Sequence, residues 1–140
     1  MFEILVLGAT GFIGGHIAKS ALQASWTVSG LRRDPGDTGH LNDQRIRWVD
    51  GDLRDQNSLL SAMRGKDIVF HAAGFYPPDN DRSKTAQYTA HAASQMNRVL
   101  QAAKQANIKK LIYTSSLSTI GLPPSGEDRL ADERDFYQKG

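Results

Sequence analysis

The sequence contains no cysteine among its 140 residues. This absence excludes disulfide bonds, thiol nucleophiles, iron–sulfur clusters and cysteine-based zinc sites. No apolar run approaches the roughly 20 residues that a membrane-spanning helix needs, so we exclude a membrane-spanning protein. The amino terminus also lacks the basic segment that begins a secretory signal, which favours a cytoplasmic location.

Neither sign of charge predominates. Seventeen Lys and Arg stand against fifteen Asp and Glu, and the basic residues are scattered rather than clustered. We therefore expect no nucleic-acid partner. His16, His40 and His91 show no mutual spacing typical of a metal site, so metal catalysis has no support in the sequence. The length fits one domain, residues 1–140.

Short apolar runs alternate with segments of helical periodicity. We predict strands at residues 2–7, 26–31, 45–49, 68–70 and 110–114. We predict helices from residue 12 to about 25, from the cap Asp55 to the stop Gly65, and over residues 83–107. This alternation predicts an α/β fold, a doubly wound parallel sheet with strand order 3-2-1-4-5. Its ligand crevice should lie beyond the carboxyl ends of strands one and four.

Three glycines, Gly8, Gly11 and Gly14, recur at intervals of three between the first strand and the first helix. Gly8 permits a tight turn, Gly11 lets backbone amides approach a pyrophosphate, and Gly14 allows close packing of helix on strand. A purely structural glycine turn is the alternative, but the flanking elements favour a dinucleotide site. Its candidate residues are Gly8, Thr10, Gly11, Phe12, Ile13 and Gly14.

Two arginines, Arg32 and Arg33, follow the second strand. A fold that prefers NAD usually carries an acid at the end of this strand, and Asp34 comes slightly late for that role. A guanidinium there binds a 2′-phosphate through forked, charge-assisted hydrogen bonds, so we favour NADP over NAD. Alternatively, both arginines are solvated loop charges.

The segment GATGFIGGHI at residues 8–17 resembles the opening of the extended short-chain dehydrogenase/reductases, the NAD(P)-dependent epimerase/dehydratase and dihydroflavonol-reductase-like group. Three later segments are also similar to that family: DL at residues 52–53, HAAG at 71–74 and YTSS at 113–116. The resemblance spans nearly the whole chain. It implies a Rossmann fold, a nicotinamide cofactor and hydride transfer at a carbonyl or alcohol carbon.

The resemblance also implies roles for particular residues. In the family, the equivalents of Asp52 and Leu53 contact the adenine, and the equivalent of Ser116 is the catalytic hydroxyl that contacts the substrate. The remaining implied cofactor contacts, beside the ribose and the nicotinamide, are His71, Ala72, Ala73, Gly74, Thr114 and Ser115. From the residues alone, Asp52 is equally a turn residue, and we assign His71 no acid–base role.

The chain departs from the family pattern in two places. The family pairs its hydroxyl with Tyr-x-x-x-Lys, whereas none of Tyr76, Tyr88, Tyr113 and Tyr137 is followed by a lysine four residues later. Residues 126–140 resemble the stretch just upstream of that pair, so we expect the amino-terminal part of an enzyme that is inactive alone. The alternative is a non-catalytic dinucleotide-binding or sensor module. Residues 91–95, HAASQ, replace an Asn followed by Gly-Thr, which puts support for the active-site floor in doubt.

Strand five is expected to form an open edge of the sheet, without a following helix to cover its apolar face. We therefore predict self-association through that edge. Sedimentation velocity at micromolar concentration should detect species larger than the monomer, and a stable monomer would contradict the prediction.

Overall fold

The computed structural model describes residues 1–79 and 81–136, and in these residues one sheet of five parallel strands occurs in the order β3-β2-β1-β4-β5. The predicted class and strand order are therefore confirmed. The strands are β1 (Glu3–Leu7), β2 (Thr27–Arg32), β3 (Arg47–Asp50), β4 (Ile68–His71) and β5 (Lys110–Tyr113). β5 lies at an edge of the sheet, as expected, and self-association through it stays a prediction.

The helices lie on both faces of the sheet. They are α1 (Phe12–Gln23), α2 (Gln56–Met63) and α3 (Thr85–Gln105), with short 3₁₀ turns at Arg82–Lys84 and Leu117–Thr119. In the part of the chain that the structure describes, no helix combines the length and apolar character needed to cross a membrane.

The central strand β1 is buried because successive side chains point to opposite faces of the sheet. Ile4 and Val6 pack with α1, whereas Leu5 and Leu7 pack with α2 and α3. All four side chains are fully buried. The apolar run in the sequence therefore reflects a strand covered on both faces.

Local side-chain hydrogen bonds explain where several elements begin and end. The carboxylate of Asp55 accepts from the amide of Asn57 at 2.9 Å, which caps α2 as predicted. Gly65, with a φ of +71°, follows α2. β3 begins later than predicted, because Asp43 holds Arg45 in a turn through its amide at 2.9 Å and its guanidinium at 2.6 Å.

The turn between β1 and α1 needs glycine at two positions. Gly8 has a φ of +88°, and a Cβ there would lie 2.9 Å from the carbonyl oxygen of Ala72 in the loop after β4. A Cβ on Gly14 would overlap the carbonyl oxygen of Gly8. The close packing of α1 on the end of β1 therefore depends on Gly14, as the sequence predicts.

The substitution Gly14→Ala should lower the free energy of unfolding by about 3 kcal/mol, because the backbone of Gly8 has little freedom to move away from a new methyl group. Urea denaturation would measure this loss. Gly11→Ala is the matched control in the same turn, since a Cβ there meets only one carbonyl oxygen, at 3.3 Å. It should cost about 1 kcal/mol or less. Equal losses for the two variants would contradict this account.

Candidate functional site

A cleft of about 490 Å³ opens at the carboxyl ends of β1, β2, β3 and β4. Its walls are the loops that follow these strands, and two side chains of α3 complete it. This is the crevice that the strand order predicts, since the winding of the sheet reverses between β1 and β4. Its volume lies in the range typical of small-molecule sites.

The cleft brings together about half of the residues that the sequence proposes for cofactor binding. Those that line it are Gly8, Thr10, Arg32, Arg33, Asp52, Leu53, Ala73 and Gly74. The side chains of Phe12 and Ile13 lie instead in a separate apolar groove beside Trp26 and Phe70. Their proposed contribution is thus limited to their backbone amides.

The amino terminus of α1 adjoins the cleft, since Gly8 and Thr10 line it and residues 11–13 are exposed. Gly11 caps the helix and offers no side chain, and the first turn contains no acidic residue. The first accepting carbonyl in the helix is that of Gly11, which bonds the amide of Gly15 at 2.9 Å. The amides of Phe12 and Ile13 therefore lack intrahelical acceptors, and the helix end carries a partial positive charge. An anion is stabilised at such a helix end.

The two arginines after β2 occupy different environments. The Nε of Arg32 donates to Asp50 at 2.7 Å, and its guanidinium carbon lies 5.6 Å from the ring centroid of Trp48. Arg33 is exposed, and no carboxylate in residues 1–79 or 81–136 forms an ion pair with it. The sequence analysis treated the two residues alike. Asp50 lies opposite Arg32 in the strand register, and this pairing would have distinguished them.

Asp52 is held by a neighbour that the sequence analysis missed. The guanidinium of Arg54 donates to its carboxylate through Nη2 at 2.7 Å and through Nε at 3.1 Å. These hydrogen bonds are the main cause that lowers the pKa of Asp52 to about 2, and the charge of Arg33 adds to the effect. Asp52 is therefore an anion at neutral pH. Arg54 also lines the cleft.

The loop after β4 is held in place from both sides. His71 is buried, and its Nδ1 accepts from the amide of Ala73 at 3.4 Å. Burial lowers the pKa of His71, which favours the neutral imidazole that this hydrogen bond requires. The Nε2 of Gln95 on α3 donates to the carbonyl oxygen of Ala73 at 2.9 Å. His71 and Ala72 therefore support the loop from outside the cleft, while Gln95 is a lining residue that the sequence analysis missed.

The polar residues that follow β5 lie outside this cleft. The amide of Thr114 donates to the carbonyl of His71 at 3.0 Å, which continues the pairing of β4 with β5. The hydroxyl oxygens of Ser115 and Thr119 lie 3.4 Å apart, and the Thr119 hydroxyl donates to the carbonyl of Ser116 at 2.7 Å. The proposed roles of Thr114, Ser115 and Ser116 stay predictions. Tyr137 lies outside the described residues.

The structure brings His16 and His40 together, with ring centroids 5.7 Å apart, although the sequence spacing gave no indication of this. Across residues 1–79 and 81–136, no three histidine or acidic side chains gather as a metal site would require.

Comparison with known proteins gives related sequences along almost the whole chain. The sequence is 32% identical over 138 residues to cinnamoyl-CoA reductase 1 of Petunia hybrida, covering 93% of this chain and 40% of the relative. Its fold is similar to that of a nucleoside-diphosphate-sugar epimerase from Pseudomonas aeruginosa, with a TM-score of 0.78 and 24% identity over 99% of this chain and 40% of the other.

A short-chain dehydrogenase/reductase superfamily protein from Agrobacterium tumefaciens, solved with bound NAD, is also similar. It has a TM-score of 0.66 and 26% identity over 84% of this chain and 33% of the other. The chain thus spans about two fifths or less of the length of these relatives. The family model described as the NAD dependent epimerase/dehydratase family matches residues 4–138. The chain therefore belongs to this family, as the sequence motifs indicated.

Proposed function

We propose that this chain is the NAD(P)-binding portion of an oxidoreductase or epimerase that acts on a carbonyl or alcohol substrate by hydride transfer. The observation that carries the proposal is the exposed amino terminus of α1, which meets the glycine turn beside a cleft at the switch point of the sheet. Membership of the family supports the same cofactor class. The cytoplasmic location that the sequence favours stays a prediction.

The residues present suit a dinucleotide in its chemistry and its shape. A pyrophosphate carries negative charge that the amides following Gly11 can stabilise, and Gly11 has no side chain to occupy the approach. Asp52 and Leu53 lie in the wall formed by the loop after β3, where we propose that the adenine binds. The cofactor supplies the hydride chemistry, while the protein supplies binding and orientation.

The charges of the cleft support NADP over NAD. Recognition of NAD usually needs a carboxylate that is free to accept from the ribose 2′-hydroxyl. The carboxylate of Asp52 already accepts from Arg54, and that of Asp50 accepts from Arg32. Arg33 is the guanidinium at the cleft without a paired carboxylate among the described residues. We propose that Arg33 binds the 2′-phosphate and that Arg32 stabilises the end of β2.

The catalytic part of the proposal depends on residues after β5. Ser116 is proposed as the hydroxyl that polarises the substrate oxygen, with Thr114 and Ser115 beside the nicotinamide, by resemblance to the family. The alternative is a non-catalytic dinucleotide-binding or sensor module that lacks the Tyr-x-x-x-Lys pair. A coding sequence that continues into such a pair would favour the enzyme over the sensor.

Calorimetric titration of the purified chain with NADP and with NAD tests cofactor binding. We expect both to bind and NADP to bind more tightly. Gly11→Leu should abolish the affinity for both, because the side chain would occupy the space through which the phosphates approach the amides. Circular dichroism should show that this variant stays folded, and Gly11→Ala is the smaller control. Retained affinity in Gly11→Leu would indicate that the ligand binds elsewhere.

Arg33→Met should weaken NADP binding by about 10- to 100-fold, the effect of losing a hydrogen bond to a charged group. NAD affinity should not change, because NAD has no 2′-phosphate. Arg64→Met is a matched control, since Arg64 is exposed and lies outside the cleft. An equal loss for NADP and NAD in Arg33→Met would contradict the assignment. A selective loss in an Arg32 variant with Arg33 intact would do so as well.

A further inference from the structure

Gln95 is a polar side chain in the cleft with one hydrogen-bonding group satisfied and one available. It lies on α3, is 8% exposed and lines the cleft. Its Nε2 donates to the carbonyl oxygen of Ala73 at 2.9 Å. Because a carbonyl oxygen only accepts, this contact requires the amide nitrogen of Gln95, which fixes the orientation of the side chain. The side-chain oxygen, Oε1, therefore takes no part in this contact.

The Oε1 atom remains available as an acceptor. In the described part of the chain no donor bonds to this oxygen. It is also not one of the fully buried polar atoms without a hydrogen-bond partner, so part of it is accessible to solvent. The oxygen therefore belongs to the 8% of Gln95 that is exposed, and Gln95 lines the cleft. An acceptor in a largely buried side chain is stabilised when a donor, such as a group of a bound ligand, bonds to it.

The neighbours of Gln95 indicate which half of a dinucleotide it faces. Arg98, one turn further along α3, donates through Nε to the carbonyl oxygen of Leu53 at 3.2 Å. Residues three apart share a face of a helix, so Gln95 and Arg98 lie on the side of α3 that meets the loops after β3 and β4. The loop after β3 contains the proposed adenine contacts and the loop after β4 those beside the ribose, whereas Thr114, Ser115 and Ser116 do not line this cleft.

We infer that Oε1 of Gln95 accepts a hydrogen bond from the adenosine half of the bound dinucleotide. This inference rests on the proposed function. In NADP the adenosine half offers two donors, the amino group of adenine and the 3′-hydroxyl of the ribose, and NAD adds the 2′-hydroxyl, whereas the phosphates only accept. Gln95 is thus a cofactor-contacting residue in the segment 91–95, where this chain departs from the family's Asn followed by Gly-Thr.

The test measures the affinity of ADP and of three analogues that each lack one donor: inosine diphosphate, 2′-deoxy-ADP and 3′-deoxy-ADP. The unmodified chain should bind one analogue about five- to tenfold more weakly than ADP, the effect of losing one hydrogen bond. Gln95→Met should lose a similar factor for ADP and no longer distinguish ADP from that analogue. The analogue that shows this behaviour identifies the donor.

Gln95→Lys provides a second variant, because its ammonium group can still donate to Ala73 but cannot accept. Its added charge should strengthen the binding of every diphosphate, yet the preference for ADP over the identified analogue should disappear. Gln101→Met is the matched control, since Gln101 is exposed on the same helix. Its preference for ADP should equal that of the unmodified chain.

Two results would overturn the inference without affecting the proposed function. An equal loss for ADP and all three analogues in Gln95→Met would mean that Gln95 acts only through Ala73. An unchanged ADP affinity in that variant would mean that Gln95 makes no useful contact. Failure of the unmodified chain to bind NADP, NAD and ADP would overturn both the proposed function and the inference.

Discussion

The cleft depends on the close contact between the first turn of α1 and the end of β1. Gly14 lies against the carbonyl of Gly8, with no room for a side chain between them. Gly8 in turn meets the backbone of Ala72, so the same residue also sets the distance to the loop after β4. At the switch point of the sheet, the backbones of the β1–α1 turn, of α1 and of the loop after β4 are therefore in direct contact. Close backbone contacts of this kind fix the position of the first turn of α1 relative to the sheet.

The charges around the cleft are organised by pairing. Arg32 and Arg54 each have a carboxylate partner, Asp50 and Asp52, so their charges are largely compensated. Arg33 has no such partner among the residues that the structure describes, although its charge contributes to the lowered pKa of Asp52, and it lines the cleft. The pKa of Asp52, lowered to about 2 by Arg54, keeps this distribution constant across the physiological pH range. The proposed preference for a 2′-phosphate therefore depends on which guanidinium lacks a carboxylate partner, and counting arginines would miss it.

The sequence predicts the features of this fold that arise from local patterns. The burial of β1, the cap at Asp55 and the spacing of Gly8, Gly11 and Gly14 each have a direct physical cause within a few residues, and the strand order follows from the alternation of elements. Contacts between distant segments were not predictable in this way. The hydrogen bond from Gln95 to Ala73 joins residues 22 positions apart, and no periodicity in α3 indicates it. The environments of Arg32 and Arg33 differ because of the strand register, which becomes known only when β2 and β3 pair.

Helix α3 is hydrogen-bonded to both loops that form its side of the cleft. Arg98 donates to Leu53 in the loop after β3, and Gln95 donates to Ala73 in the loop after β4. The helix is anchored by Val99 and Ala102, whose side chains are fully buried in the core. Because one rigid element holds both walls, they do not move independently. The entropy of ordering these loops is then lost during folding rather than on ligand entry, so this side of the cleft is preorganised.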